Sequence, residues 1–440
     1  MTRGYLRTNA DDPPAAAADL PLDWYPGDRR STVQSGTELL TGLVPPTHAR
    51  DLLRVAVAAY STDRLSDRSG MRDGWTRDLG LSVPVTLGSG WERALEPLKE
   101  ALDFLSGDHW SLDLRDAQPS DATAAPLADA DAVCLFSGGL DSLAGAIDLL
   151  DEGKRVFLVS HYEGGIAPKR QSALFEQLRH HYGRDRVTMR QLFLRPAPAN
   201  SHQERRLLRT RENTMRARSL LFIAAGFAVA SSIGPHVPVY IPENGYIGIN
   251  VPLTGSRPGS LSTRTTHPFF FDRLRAVLDA IGMTNDLCNP YRLSTKGEML
   301  AGNRNLALLR RLAPTSVSCS HPETARYARR AQGNCGYCYP CLIRRASLHA
   351  IEADTDCYAY DIARESDTML GPSAKGASVR ALIRSLASPA ASQDVLRNGP
   401  IPNSEAEQFG EMYLRGREEL RAWLTAAGGP EIVARLEAPR

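Results

Sequence analysis

Apolar and polar positions alternate with changing rhythm along this chain, and the rhythm predicts its elements. The apolar runs "DLLRVAVAAYSTD" (51–63) and "LGLSVPVTL" (79–87) read as strands. "WERALEPLKEALDFLSG" (91–107) carries apolar residues at helical spacing and predicts an amphipathic helix stopped by Gly107. "HWSLDL" (109–114) predicts a further strand. These elements predict a small α+β domain over 36–116, with Trp75, Trp91 and Trp110 as packing anchors. Residues 1–35 are rich in Pro, Ala and Asp and are expected to be flexible and poorly ordered. Residues 117–130 read as a linker by composition.

From residue 131 strands and helices alternate. Residues 131–136, "RVFLVSHY" (155–162), "RVTMRQLFL" (186–194) and "PVYIPEN" (238–244) predict strands. Residues 143–150, 168–183 and 212–234 predict the helices between them. That order predicts a parallel, doubly wound sheet with ligands at the carboxyl ends of its strands. After residue 356 the pattern becomes helical, with helices expected near 376–387 and 404–426 as a C-terminal extension.

The first strand runs into "LFSGGLDSLAGAI" (135–147). Gly138 and Gly139 allow a sharp turn that presents backbone N–H groups, and the following helix adds its positive end. This combination suits a phosphate. It is not a Walker A loop, since GxxxxGK[ST] does not occur in the chain, and GxGxxG is missing here.

Composition narrows the class. The chain has 440 residues, a net charge of +2 and 42% hydrophobic content, which fits a protein with a full-sized core. The start lacks an apolar signal core, and the apolar stretch 220–233 is too short to span a bilayer, so a cytoplasmic protein without membrane association is expected. Four of the seven cysteines, Cys319, Cys335, Cys338 and Cys341, fall within 23 residues, which suits a metal in a reducing cytosol better than disulfides. Four thiolates close a tetrahedral zinc site without an open position, so its role is structural. The ferredoxin run would need a cysteine at 345, where Arg345 stands.

The SGGLDS loop and the four cysteines together resemble the PP-loop ATP pyrophosphatases, and within them the QueC family of 7-cyano-7-deazaguanine synthases, over roughly 131–355. "VSHYEGG", "RARSLLFIAAGFA" and "LSTKGEML" resemble three further segments of that family. The chain departs from it at Arg218-Ser219, and in lacking the Y-P-D-C-R substrate segment. In place of that segment stands "ENGYIGINVPLTGSRPGSLSTRTTHP" (243–268). With its extra N- and C-terminal parts, the chain is closer to the QatC group, the QueC-like components of the Qat anti-phage defence system.

The resemblance implies attack of a carboxylate, expected to be 7-carboxy-7-deazaguanine, on the α-phosphorus of ATP. Pyrophosphate leaves, and a nitrogen nucleophile then displaces AMP. Ser137, Gly138, Gly139, Leu140 and Ser142 are expected to cradle the phosphates, Asp141 to hold Mg²⁺, and Lys296 to neutralise the leaving group. Ser160, Tyr162 and Arg218 are expected near the nucleotide, although Arg218 could instead anchor its helix. Glu243, Asn244 and Asn250 are expected at the substrate base, with Arg264 or His267 at a carboxylate or phosphate. Arg257, Ser262, Thr263, Thr265 and Thr266 add polar groups to the same segment. A protein partner encoded in a defence operon is expected. Three other readings stay open: a housekeeping synthase, a catalytically silent scaffold, and an RNA-modifying enzyme using the arginine-rich segment 202–218.

Overall fold

The computed structural model describes residues 1–9, 11–16, 19–39, 41–117, 129–197, 212, 214, 216–254, 264–327, 329–330, 332–355 and 358–437. Arg257, Ser262, Thr263 and most of the 117–130 linker and of the arginine-rich segment lie outside the described residues.

Regular structure begins at the second residue. β1 (Thr2–Arg7), β2 (Leu20–Asp23) and β3 (Val33–Ser35) all lie in the stretch expected to be poorly ordered. Each buries an apolar residue completely, Leu6, Leu22 and Val33, and that burial offsets the cost of ordering the chain. The run 51–63, expected as a strand, is instead the middle of helix α1 (Thr47–Leu65). Leu52, Val55, Val57 and Tyr60 are all buried, so α1 is covered on nearly every side and has no polar face to reveal its period. β4 (Asp78–Val85), α2 (Trp91–Ser106) and β5 (His109–Asp116) follow as expected. The order of this first sheet is β2-β1-β4-β5, and all neighbours run parallel, with Gly4 opposite both Leu20 and Leu81. The N-terminal part is therefore α/β in character, not the α+β expected.

The second sheet contains β6 (Ala132–Leu135), β7 (Val156–Tyr162), β8 (Val187–Pro196), β9 (Val239–Tyr240) and β10 (Leu287–Cys288). Its order is β10-β9-β6-β7-β8-β3; all pairs are parallel except β3, which runs antiparallel along β8 with Val33 opposite Pro196. A strand from the N-terminal stretch thus closes the edge of the second sheet. Helices α3 (Leu140–Asp151), α4 (Ala167–Tyr182), α5 (Arg218–Ile233), α6 (Gly245–Ile249) and α7 (Pro268–Ala280) lie among its strands in sequence. α1 packs on α5 and α2 on α7, so one apolar core spans both sheets. β7 and β8 are added on one side of β6 and β9 on the other. This reversal opens a crevice beyond the carboxyl ends of β6 and β9.

α8 (Lys296–Ala301), α9 (Leu306–Leu312), α10 (Thr324–Tyr327) and α11 (Tyr339–Ala350) lead into the C-terminal helices. These are α12 (Ser366–Leu370), α13 (Ala377–Leu386), α14 (Ala406–Ala427) and α15 (Pro430–Glu437). They enclose a second core around Phe409 and Trp423 that includes Cys335, Cys338 and Cys341. Among the described residues no helix is long and apolar enough to cross a membrane.

Buried charge joins the N-terminal part to the second sheet. The Arg77 guanidinium donates to Asp63 Oδ1 at 2.5 Å and Asp108 Oδ2 at 2.6 Å, and to the carbonyls of Asp63 and Ser66. Arg68 adds two donations to Asp108, both at 2.9 Å. The second Asp63 oxygen accepts from the Thr214 hydroxyl and the Ala217 N–H, just before α5. Arg77→Met would leave Asp63 and Asp108 buried with fewer donors. It is expected to cost about 3–5 kcal/mol of stability in urea unfolding. A loss within about 0.5 kcal/mol, the range of ordinary surface substitutions, would show that the network is dispensable.

Candidate functional site

The loop after β6 is shaped by its own hydrogen bonds. Gly138 has φ +80°, a conformation that side chains strain, and its carbonyl accepts from Val317 N at 2.9 Å. Gly139 N donates to Ser137 Oγ at 3.3 Å, and Ser142 Oγ donates to the Gly139 carbonyl at 3.0 Å. Leu140 N, in the first turn of α3, donates to Ser318 Oγ at 3.1 Å. Beneath the loop, Gln171 Nε2 donates to the Ser137 carbonyl at 3.2 Å.

Asp141 points from α3 across the crevice. Its Oδ1 lies 2.9 Å from Lys296 Nζ, and its Oδ2 accepts from Asn244 Nδ2 at 2.7 Å. The Lys296 and Asp141 side chains are only 6% and 15% exposed, so their attraction is little weakened by water. Lys296 is set by a capping box: the Thr295 hydroxyl accepts from Glu298 N, and the Glu298 carboxylate accepts from Thr295 N. Glu419 from α14 accepts from Gly297 N at 3.1 Å and from the Thr295 hydroxyl, so the C-terminal helices brace the lysine.

These groups line a cavity of about 340 Å³. Ser137, Gly139, Leu140, Asp141 and Ser142 line it together with Glu243, Asn250 and Lys296. Cys319 and Cys338 close the far end. Glu243 follows β9 at the same crevice. Its Oε2 accepts from the Thr266 hydroxyl, and its backbone carbonyl accepts from Asn289 Nδ2 at 2.9 Å. Depth in the protein pushes its carboxyl up to about 7, with the Asp141 charge adding to the rise and Thr266 and Lys296 opposing it.

The other expected site residues lie elsewhere or serve differently. Asn244 does not lie along the cavity wall: its side chain caps α6, accepting from Ile247 N at 3.0 Å, and holds Asp141. Ser160 is buried and donates to the Phe136 carbonyl. The Tyr162 ring packs against Phe193. Arg218 takes the anchoring role: its Nε donates to His161 Nδ1 at 3.0 Å and its Nη2 to the His161 carbonyl at 3.1 Å. His161 Nε2 therefore carries the proton toward the Leu194 carbonyl at 2.9 Å. Burial, reinforced by Arg218, holds this imidazole down at about 3. Arg264 lies over the Phe104 ring and reaches Asn398, joining α2 to the C-terminal part. His267 caps α7 through Nδ1 and packs on Phe104. Thr265 bonds Ser219 at 2.7 Å. Among the described residues of 243–268, the polar groups thus largely serve packing between elements.

The cysteines converge as their spacing predicts. All four sulfurs lie within 4.8 Å of one another, with Cys319–Cys338 at 3.8 Å and Cys335–Cys341 at 3.9 Å. A tetrahedral ion with bonds of about 2.3 Å requires sulfurs about 3.8 Å apart, so the set fits a metal such as zinc. Sulfur hydrogen bonds from Cys319, Cys335 and Cys341 drive the Cys338 thiol well below the usual thiol range. Cys319 Sγ also accepts from the N–H groups of His321 and Cys335, both at 3.3 Å. A Cβ on Gly336 would stand 2.1 Å from the Tyr360 carbonyl, so only glycine fits that knuckle.

Ser318 and Gln171 are the residues that sequence reading missed. Ser318 carried one signal, its position beside Cys319; Gln171 carried none, because only the fold brings α4 under the loop.

No family model matches this chain, and no curated protein matches it.

Elemental analysis is expected to find about one metal ion per chain, and Cys338→Ser to lose both the ion and much of the thermal stability. A metal-free wild-type protein that stays folded would remove the site. Because Val317 and Ser318 hold the loop, chelation is also expected to speed amide hydrogen exchange at Gly139 and Leu140.

Proposed function

We propose that this chain is a QueC-like PP-loop ATP pyrophosphatase that joins a carboxylate, 7-carboxy-7-deazaguanine, to a nitrogen nucleophile through an acyl adenylate. One observation carries the reading: the Ser137–Ser142 loop, Asp141 and Lys296 converge on one cavity at the reversal point of a parallel sheet. Zinc, held by the four cysteines, has a structural role.

Lys296 and Asp141 neutralise each other in the free protein. A triphosphate with its divalent cation offers each a new partner, a phosphate oxygen for Lys296 and the cation for Asp141. Magnesium at Asp141 would screen the charge of the phosphates. Ser137, Gly139 and Ser142 supply donors to the pyrophosphate end, where negative charge grows as it leaves. Apolar neighbours such as Ile247, Val251 and Leu253 keep water from the activated carbonyl.

The nucleophile is proposed to be an amine on a partner protein encoded in the same defence operon. Beyond residue 355 the chain adds helices that brace Lys296 and reach the cavity through Ser378. Such added surface suits positioning a large acceptor better than passing ammonia twice.

Asp141→Ala is expected to abolish pyrophosphate release from ATP and 7-carboxy-7-deazaguanine while the circular dichroism spectrum is unchanged. Ser137→Ala is expected to slow release roughly 10- to 1,000-fold, the worth of one donor to a developing oxyanion. Wild-type rates in both variants would take the loop out of the chemistry.

Incubation with the neighbouring gene's product is expected to add the mass of an amide-linked deazaguanine to that protein. Efficient nitrile formation with ammonia alone would return the chain to ordinary deazapurine synthesis. A salt-sensitive gel shift with RNA and no pyrophosphate release would favour RNA modification instead.

A further inference from the structure

Adenylation leaves one group in the cavity without a task. Among the described residues two carboxylates line it, Asp141 and Glu243. Both oxygens of Asp141 are engaged, by Lys296 and Asn244. Glu243 differs. Its Oε2 is fixed by the Thr266 hydroxyl, while Oε1 takes no partner among the described residues and opens to the cavity. The charged groups acting on it are Asp141 from α3 and Lys296 from α8; among the described residues before α7, the Thr266 hydroxyl reaches it. His321, the imidazole on the cavity wall, is exposed at the cysteine end and stacks with Tyr337.

We infer that Glu243 is the catalytic proton acceptor for the nitrogen nucleophile in the second half-reaction, an inference that rests on the ATP reading above. The neutral amine attacks the carbonyl carbon of the acyl adenylate. The C–N bond forms, the C–O bond to AMP breaks, and its electron pair leaves on the AMP phosphate. The proton lost by nitrogen passes to Glu243 Oε1. Three features suit the carboxylate to this. It is held by one oxygen, so the other has a fixed direction. It lines the same cavity as the Ser137–Ser142 loop and feels the charges of Asp141 and Lys296, so it borders the space where the acyl group would lie. Its surroundings raise its proton affinity into the range where a base works best near neutral pH. A group that only read the edge of the substrate would act equally in both half-reactions, which separates the two roles.

The experiment follows both half-reactions with ATP, Mg²⁺ and 7-carboxy-7-deazaguanine. Exchange of labelled pyrophosphate into ATP reports adenylation; transfer is measured with ammonia and with hydroxylamine, a weakly basic nucleophile that is unprotonated at neutral pH. Glu243→Gln is expected to slow transfer to ammonia about 100-fold more than it slows exchange. Hydroxylamine is expected to close much of that gap, and Glu243→Asp to recover part of the ammonia rate. If the glutamine variant does not fold, Thr266→Val, which frees Oε2, replaces it with the same readout. Equal losses in exchange and transfer would overturn the role as proton acceptor and leave adenylation standing. Exchange without transfer to ammonia, to hydroxylamine or to the neighbouring gene's product in the wild type would overturn it too. Absence of exchange in the wild type would instead bring down the ATP reading, and this inference with it.

Discussion

The segment 316–319 is pinned on both sides, and the loop after β6 depends on it. Val317 N donates to the Gly138 carbonyl, and Ser318 Oγ accepts from Leu140 N. Asn334, one residue before Cys335, clamps the same segment through Ser318 N and the Ser316 carbonyl, both at 3.0 Å. Arg344, buried on α11, holds Ser316 Oγ at 2.8 Å and the Ala313 carbonyl at 2.6 Å. The next residue, Cys319, belongs to the sulfur cluster. The loop after β6 takes its shape from this support. Here the support is a knuckle whose geometry a metal can fix, so the two motifs that stand almost two hundred residues apart form one unit.

Charge is distributed on the same plan. Two buried ion pairs join different elements: Asp141 on α3 faces Lys296 on α8, and Asp63 on α1 faces Arg77 ahead of β4. Leaving either partner alone in a low-dielectric interior would be costly, so each pair fixes how its two elements meet. The C-terminal helices follow suit. Glu419 reaches the first turn of α8, and Arg415 pairs with Glu298 of its capping box at 2.5 Å. The region beyond 355 is thus a buttress for the lysine as well as added surface.

Much of this was legible in the sequence because it depends on short-range chemistry. The glycine turn before α3, the Thr295–Glu298 capping box, the C-x2-C-x2-C spacing and the strand–helix alternation after 131 are local patterns with local causes. They determined the parallel sheet, the loop and the cysteine cluster. What the sequence could not determine is set by contacts between distant segments. α1 read as a strand because it is covered on both sides. β3 joined a sheet built a hundred residues later because its edge needed a partner. Arg264 and His267 read as ligand-binding groups, yet they pair with Asn398 and Phe104 in the interior. A polar side chain looks the same in sequence whether its partner is a ligand or a neighbouring helix. Only the tertiary structure, by deciding which donors already have acceptors, left Glu243 facing the cavity and turned Asn244 toward Asp141.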